Sequence, residues 1–71
     1  RGLEGWVKLE FTITEVGTVK NPKVIEADPP RVFNREALRA ILKWKFKPRV
    51  IDGVAVERTA TQTLDFTLDQ G

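Results

Sequence analysis

The chain has 71 residues, room for one small domain (residues 1–71), and its 41% apolar and 31% charged residues place it among globular rather than disordered sequences. It contains no Cys, His, Ser or Tyr, which removes disulfides, thiolate chemistry, imidazole ligation of metals and every Ser-His or Cys-His nucleophile. The carboxylates Glu4, Glu10, Glu26, Asp28, Asp52, Asp65 and Asp69 are scattered over outward strand positions and turns, with no rigidly spaced pair for acid–base work. The alphabet therefore argues against an enzyme, and it calls for no cofactor and no metal.

The net charge of +2 conceals an asymmetry. Between Arg31 and Arg49 lie seven bases against Glu36 alone, whereas the remaining residues carry five bases and nine acids. Such a dipole can steer an acidic partner, or it can be the solvated face of a helix. No apolar run approaches the roughly 20 residues of a membrane span. Strand-like patterning begins almost at Arg1, so the expectation is a terminal piece of a longer protein.

In chain order, Trp6 to Thr14 comes first: Val7, Leu9, Phe11 and Ile13 alternate with Lys8, Glu10, Thr12 and Thr14, the period-2 pattern of a half-buried strand. By this parity Trp6 belongs to the outer face. Gly17 offers a positive φ for a hairpin turn into a second strand over roughly residues 18 to 27. Val19 and Val24 have opposite parity with Pro22 between them. Proline cannot donate to a β-ladder, so this strand is expected at a sheet edge, with a bulge that restores the parity.

Asp28-Pro29-Pro30 ends the strand, and Asn34 has the side chain of an N-cap, with Glu36 in the first turn of the helix that follows. Phe33 and Leu38 have the spacing of a hydrophobic staple. Ala37, Leu38, Ile41 and Trp44 share one face of this helix and Arg35, Arg39 and Lys43 the opposite one, with Lys43 and Lys45 in its last turn. Trp44 is expected in the core, and Pro48 closes the segment. Phe46 is expected to turn back to the core, and Asp52-Gly53, between Val50-Ile51 and Val54-Ala55-Val56, signals a short hairpin. The last strand, Thr59 to Leu68, sets Leu64, Phe66 and Leu68 on one face against Thr59, Thr61, Thr63, Asp65 and Thr67 on the other.

The predicted fold class is α+β: an antiparallel three-stranded sheet in the spatial order second, first, last, covered by one main helix, with a short extra hairpin. That order leaves the last strand on an open edge. Natural edges are blunted by Lys, Pro, a bulge or short length, and this ten-residue stretch has only Asp65. One reading is that further sequence or a second subunit covers it. The other is that the edge accepts an extended peptide as an added strand, through the backbone of Thr59, Ala60, Thr61, Gln62, Thr63, Leu64, Asp65, Phe66, Thr67 and Leu68.

The same residues carry a family resemblance. Glu4-Gly5 through Val19 (E-G-x-V-x-x-x-F-x-I-x-x-x-G-x-V), then Pro29, Phe33, Ala37 to Ala40 and Trp44-Lys45-Phe46-Lys47-Pro48 run in order over nearly the whole chain. Together they resemble the C-terminal domain of the TonB family, energy transducers of Gram-negative bacteria. The resemblance implies a periplasmic domain of a protein anchored in the inner membrane, working with ExbB and ExbD to open outer-membrane transporters for siderophores, haem or cobalamin. It implies that the domain takes the transporter's TonB box, a short N-terminal segment, as a strand added beside Thr59 to Leu68.

Family domains usually begin with a Tyr-Pro-containing segment before Glu-Gly, which this chain, starting at Arg1, does not show. Its contacts are therefore not assigned, and a chain without it is expected to exchange strands with a second copy, giving a homodimer. A Tol-like relative, or another TonB-like domain with a different envelope partner, is the alternative. The stripe Arg35, Arg39 and Lys43 could follow a phosphate backbone or meet acidic transporter loops, but it lacks interleaved aromatics, and nucleic acid is not the expected partner.

Overall fold

The structure, a computed structural model, describes residues 2–69, with side chains described from 3 to 67. β1 (Gly2–Ile13), β2 (Val19–Asp28) and β5 (Arg58–Asp69) form one antiparallel sheet in the order β2-β1-β5, with α1 (Asn34–Ile41) between β2 and the small hairpin β3 (Arg49–Ile51) and β4 (Val54–Val56). This is the predicted architecture. The molecule measures 52 × 20 × 13 Å, the elongation that two 12-residue strands at about 3.3 Å per residue impose.

The alternation of β1 decides the layers. Val7, Leu9, Phe11 and Ile13 are buried, and α1 packs over β1 and β2 with Ala37 and Ile41 fully buried. Val19, Phe33 and Leu64 complete the core. β2 joins this core only because it is bulged. Its register against β1 slips between Lys8 and Leu9 and again between Glu10 and Thr12, the second slip spanning Pro22 and the positive-φ Asn21. Each slip adds one residue to β2, so Val19, Val24 and Ala27 all reach the core side despite their odd spacings.

Four local expectations are corrected: the N-cap, the staple, the last turn of the helix and the place of Trp44. The N-cap is Phe33, not Asn34, and it makes no side-chain cap bond. Phe33 is buried and stacks on Phe66, which fixes the chain's entry one residue earlier, and Asn34 Oδ1 is left buried without a partner. With Phe33 as the cap, the staple from Phe33 at N′ does not arise. The helix also stops at Ile41: Lys43 and Trp44 donate to Ala40 and Ile41 across three residues (both 3.1 Å), a tightened final turn that does not propagate. Lys43 and Lys45 thus lie beyond the helix, Arg39 is its last-turn base, and Trp44 is 38% exposed rather than core.

The cause is downstream. The Phe46 N–H donates to the Gly17 carbonyl at 2.8 Å, and Phe46 packs on Phe11 with ring centroids 5.4 Å apart. That docking holds residues 44–48 out of the helix, and Pro48 keeps the preceding residue extended. Phe46 does return to the core, as expected. The Asp52-Gly53 hairpin is also present, with positive φ at both residues (52° and 81°) as a type I′ turn requires.

Candidate functional site

β5 pairs with β1 from Gly2↔Asp69 to Ile13↔Arg58 without a break in register. Its other side is an edge of the three-stranded sheet. Which backbone groups face that edge follows from the β1–β2 turn. The Thr14 N–H donates to the Thr18 carbonyl (2.8 Å) and the Thr14 carbonyl accepts from the Gly17 N–H (3.0 Å), so both groups of Thr14 point away from β5. The turn is further held by the Thr14 and Thr18 hydroxyls, 2.6 Å apart.

Backbone direction alternates along a strand, so the even-numbered residues of β1 point toward β2 and the odd-numbered ones toward β5. With the unbroken register, Ala60, Gln62, Leu64 and Phe66 of β5 exchange hydrogen bonds with Phe11, Leu9, Val7 and Gly5. Thr59, Thr61, Thr63, Asp65 and Thr67 therefore turn their N–H and C=O groups to the edge. An independent contact agrees: the Thr63 carbonyl accepts from the exposed Gln62 side-chain amide at 3.2 Å.

Side-chain direction has the same period. The five residues with edge-facing backbone are also those whose side chains are exposed, whereas Ala60, Gln62 and Phe66 are half-buried and Leu64 is buried. Threonine suits such positions, since its branched Cβ favours extended backbone while its hydroxyl stays wet. Leu68 continues the strand, and its side chain lies outside the described residues. Gln62 has the parity of the core side and its amide reaches around to the rim, a role the sequence pattern had not assigned to it.

Two grooves flank the Phe66 end of β5. On the open face of the sheet, Trp6 pairs with Asp28 on β2 and Asp65 on β5, at a groove of about 380 Å³ that Glu4 and Thr67 also line. Trp6 thus lies on the outer face, as its parity predicts. On the helix face, Val32, Phe33, Glu36, Phe66 and Thr67 line a second groove of about 350 Å³. Gly5 underlies this corner. A Cβ there would meet the Asp28 carbonyl oxygen, Pro29 Cδ at 2.7 Å and Phe33 Cε2 at 2.8 Å, so glycine is what lets Phe33 descend onto the sheet and stack with Phe66, centroids 5.1 Å apart.

The basic residues sit elsewhere. Arg35 and Arg39 are exposed on α1, and Lys43 is exposed two residues past its end. Among the described residues no cluster of three or more Asp, Glu, His or Cys is arranged to hold a metal ion, and no helix is long and apolar enough to cross a membrane.

Residues 1–68 match the family described as Gram-negative bacterial TonB protein C-terminal. TonB of Pseudomonas aeruginosa is 44% identical over 70 residues, covering 99% of this chain and 20% of that protein. TonB of Vibrio cholerae is 30% identical over 69 residues, covering 97% of this chain and 28% of that protein. The chain therefore spans a fifth to somewhat over a quarter of these relatives' length. The solution NMR structure of the Pseudomonas aeruginosa TonB C-terminal domain superposes with a TM-score of 0.76 at 44% identity, covering 100% of this chain and 72% of that one. The structure of the Tonb2 protein of Vibrio anguillarum gives a TM-score of 0.67 at 42% identity, covering 99% and 67%. With the motif, the sheet order and nearly the whole length in agreement, the chain belongs to the TonB C-terminal family.

Proposed function

We propose that the chain is the partner-gripping module of a TonB energy transducer, and that it takes the TonB box of an outer-membrane transporter as a fourth strand along β5. The observation that carries this reading is the edge itself: a 12-residue strand with an unbroken pairing on one side and five residues turning their backbone groups outward on the other. Four to six added backbone hydrogen bonds at a net ~1 kcal/mol each, less the ordering of the peptide, suit a reversible contact near micromolar affinity. Loaded along the strand, such bonds share a pulling force, and no reactive side chain is required.

The wider setting belongs to the same proposal. The domain works in the periplasm on a protein anchored in the inner membrane, ExbB and ExbD supply the coupling to the proton-motive force, and siderophores, haem or cobalamin pass the opened transporter. Family membership supports this setting. The test is an NMR titration with a synthetic TonB-box peptide. Shifts concentrated from Thr59 to Leu68 are expected, together with their loss in Thr63→Pro and their retention in Thr63→Val. Unchanged affinity in Thr63→Pro would place the contact elsewhere.

A further inference from the structure

Strand addition alone reads backbone, which any peptide has, so selectivity must come from side chains beside the new strand. The helix-face groove is placed to supply it. Its lining residues come from β5 (Phe66, Thr67), from the two residues before the helix (Val32, Phe33) and from its first turn (Glu36), with none from β1, so it opens beside β5 on the side where a fourth strand would run. α1 packs over β1 and β2, and Val32, 44% exposed, is left facing this corner.

Register decides what enters. Phe66 spends its backbone bonds on Gly5 of β1, so an added strand of either direction would bond to Asp65 and Thr67 on either side of it and would set one residue opposite Phe66 with its side chain on the same face. The incoming residue opposite Phe66 projects to the helix face and into the space between Phe66 and Val32. Glu36 lines the same groove, with no basic residue beside it there.

We infer that this groove is the specificity pocket of the β5 edge, and that it accepts one aliphatic side chain of the added strand and rejects an acidic one. The inference rests on the strand-addition reading. Burying two methyl groups in the groove corresponds to about a tenfold gain in affinity for Val over Ala, and Glu36 repels Asp at the same place.

The test uses the chain and a ten-residue synthetic TonB-box peptide, in which each position is replaced in turn by Val, Ala and Asp. Binding is followed by NMR, and contacts between peptide methyls and the Phe66 ring fix the register. The expected result is one position, opposite Phe66, where Ala binds about tenfold and Asp at least tenfold more weakly than Val. Glu36→Lys should recover most of the Asp penalty and leave the Val peptide within about twofold. Val32→Ser should weaken the Val peptide while the pattern of shifted β5 amides is kept. Both residues are exposed, and Glu36→Gln serves if the lysine perturbs the helix. A peptide that shifts Thr59 to Thr67 with equal affinity for every substitution would overturn the pocket and leave strand addition standing. A peptide that leaves β5 unshifted at every substitution would overturn both.

Discussion

Phe33 and Phe66 lie stacked, with ring centroids 5.1 Å apart and planes 9° from parallel. One is the residue that caps α1 and the other belongs to the edge strand, so this pair ties the helix to the working edge. Gly5 of β1, paired with Phe66, supplies the room beneath them.

Removing either ring should therefore loosen both elements. Phe33→Ala is expected to cost about 3 kcal/mol and the half-buried Phe66→Ala about 2 kcal/mol, each read from urea unfolding. Because the rings share one contact, the double variant should lose less than the sum of the two.

Gly17 combines two requirements for glycine, of which Gly53 has only one. Gly17 has φ +88° and a Cβ there would collide with the Phe46 carbonyl oxygen, whereas Gly53 has φ +81° with nothing within 4 Å. Gly53→Ala should cost about 1 kcal/mol for backbone strain alone. Gly17→Ala should cost clearly more, about 2–3 kcal/mol, and should release Phe46, seen as new exposure of residues 44–48 to hydrogen exchange.

Proline placement on β5 should discriminate by parity. Thr61→Pro, Thr63→Pro and Asp65→Pro remove outward N–H groups and should abolish peptide binding while circular dichroism still shows a folded sheet. Gln62→Pro removes a bond to Leu9 and should unfold the β1–β5 ladder itself.

The surface ion pairs Lys20–Glu57 (2.8 Å) and Lys23–Glu10 (3.2 Å) are solvent-exposed. Glu10→Gln and Glu57→Gln should each change stability by no more than about 0.5 kcal/mol, with a difference that vanishes in high salt.

Much of this was legible in the sequence. The alternation from Val7 to Ile13 marked β1 as half-buried, Pro22 placed β2 outside and so left β1 the centre, and the lack of gatekeepers from Thr59 to Leu68 marked the edge. The helix boundaries were not, because they are set by distant contacts. The Gly17 carbonyl takes the Phe46 N–H and ends the helix at Ile41, although the apolar period runs on to Trp44. Phe33 displaces Asn34 from the cap because its ring is held between helix and sheet. The groove at Val32, Glu36 and Phe66 escaped for the same reason: its walls lie some thirty residues apart and meet only through the fold.

Strand exchange with a second copy would use the same edge as the peptide. Light scattering of the free chain across a concentration series reads it directly: a dimer that the TonB-box peptide dissolves would show that the two compete, and a monomer at every concentration would exclude the exchange.

Amide hydrogen exchange along β5, with and without the TonB-box peptide, tests strand addition most directly. Without peptide, Ala60, Gln62, Leu64 and Phe66 should be protected by β1, while Thr61, Thr63 and Asp65 exchange quickly. With peptide, those three should slow by at least tenfold and the even-numbered residues should change little. Slowing without this alternation, or none along β5 while the peptide still binds, would contradict the account.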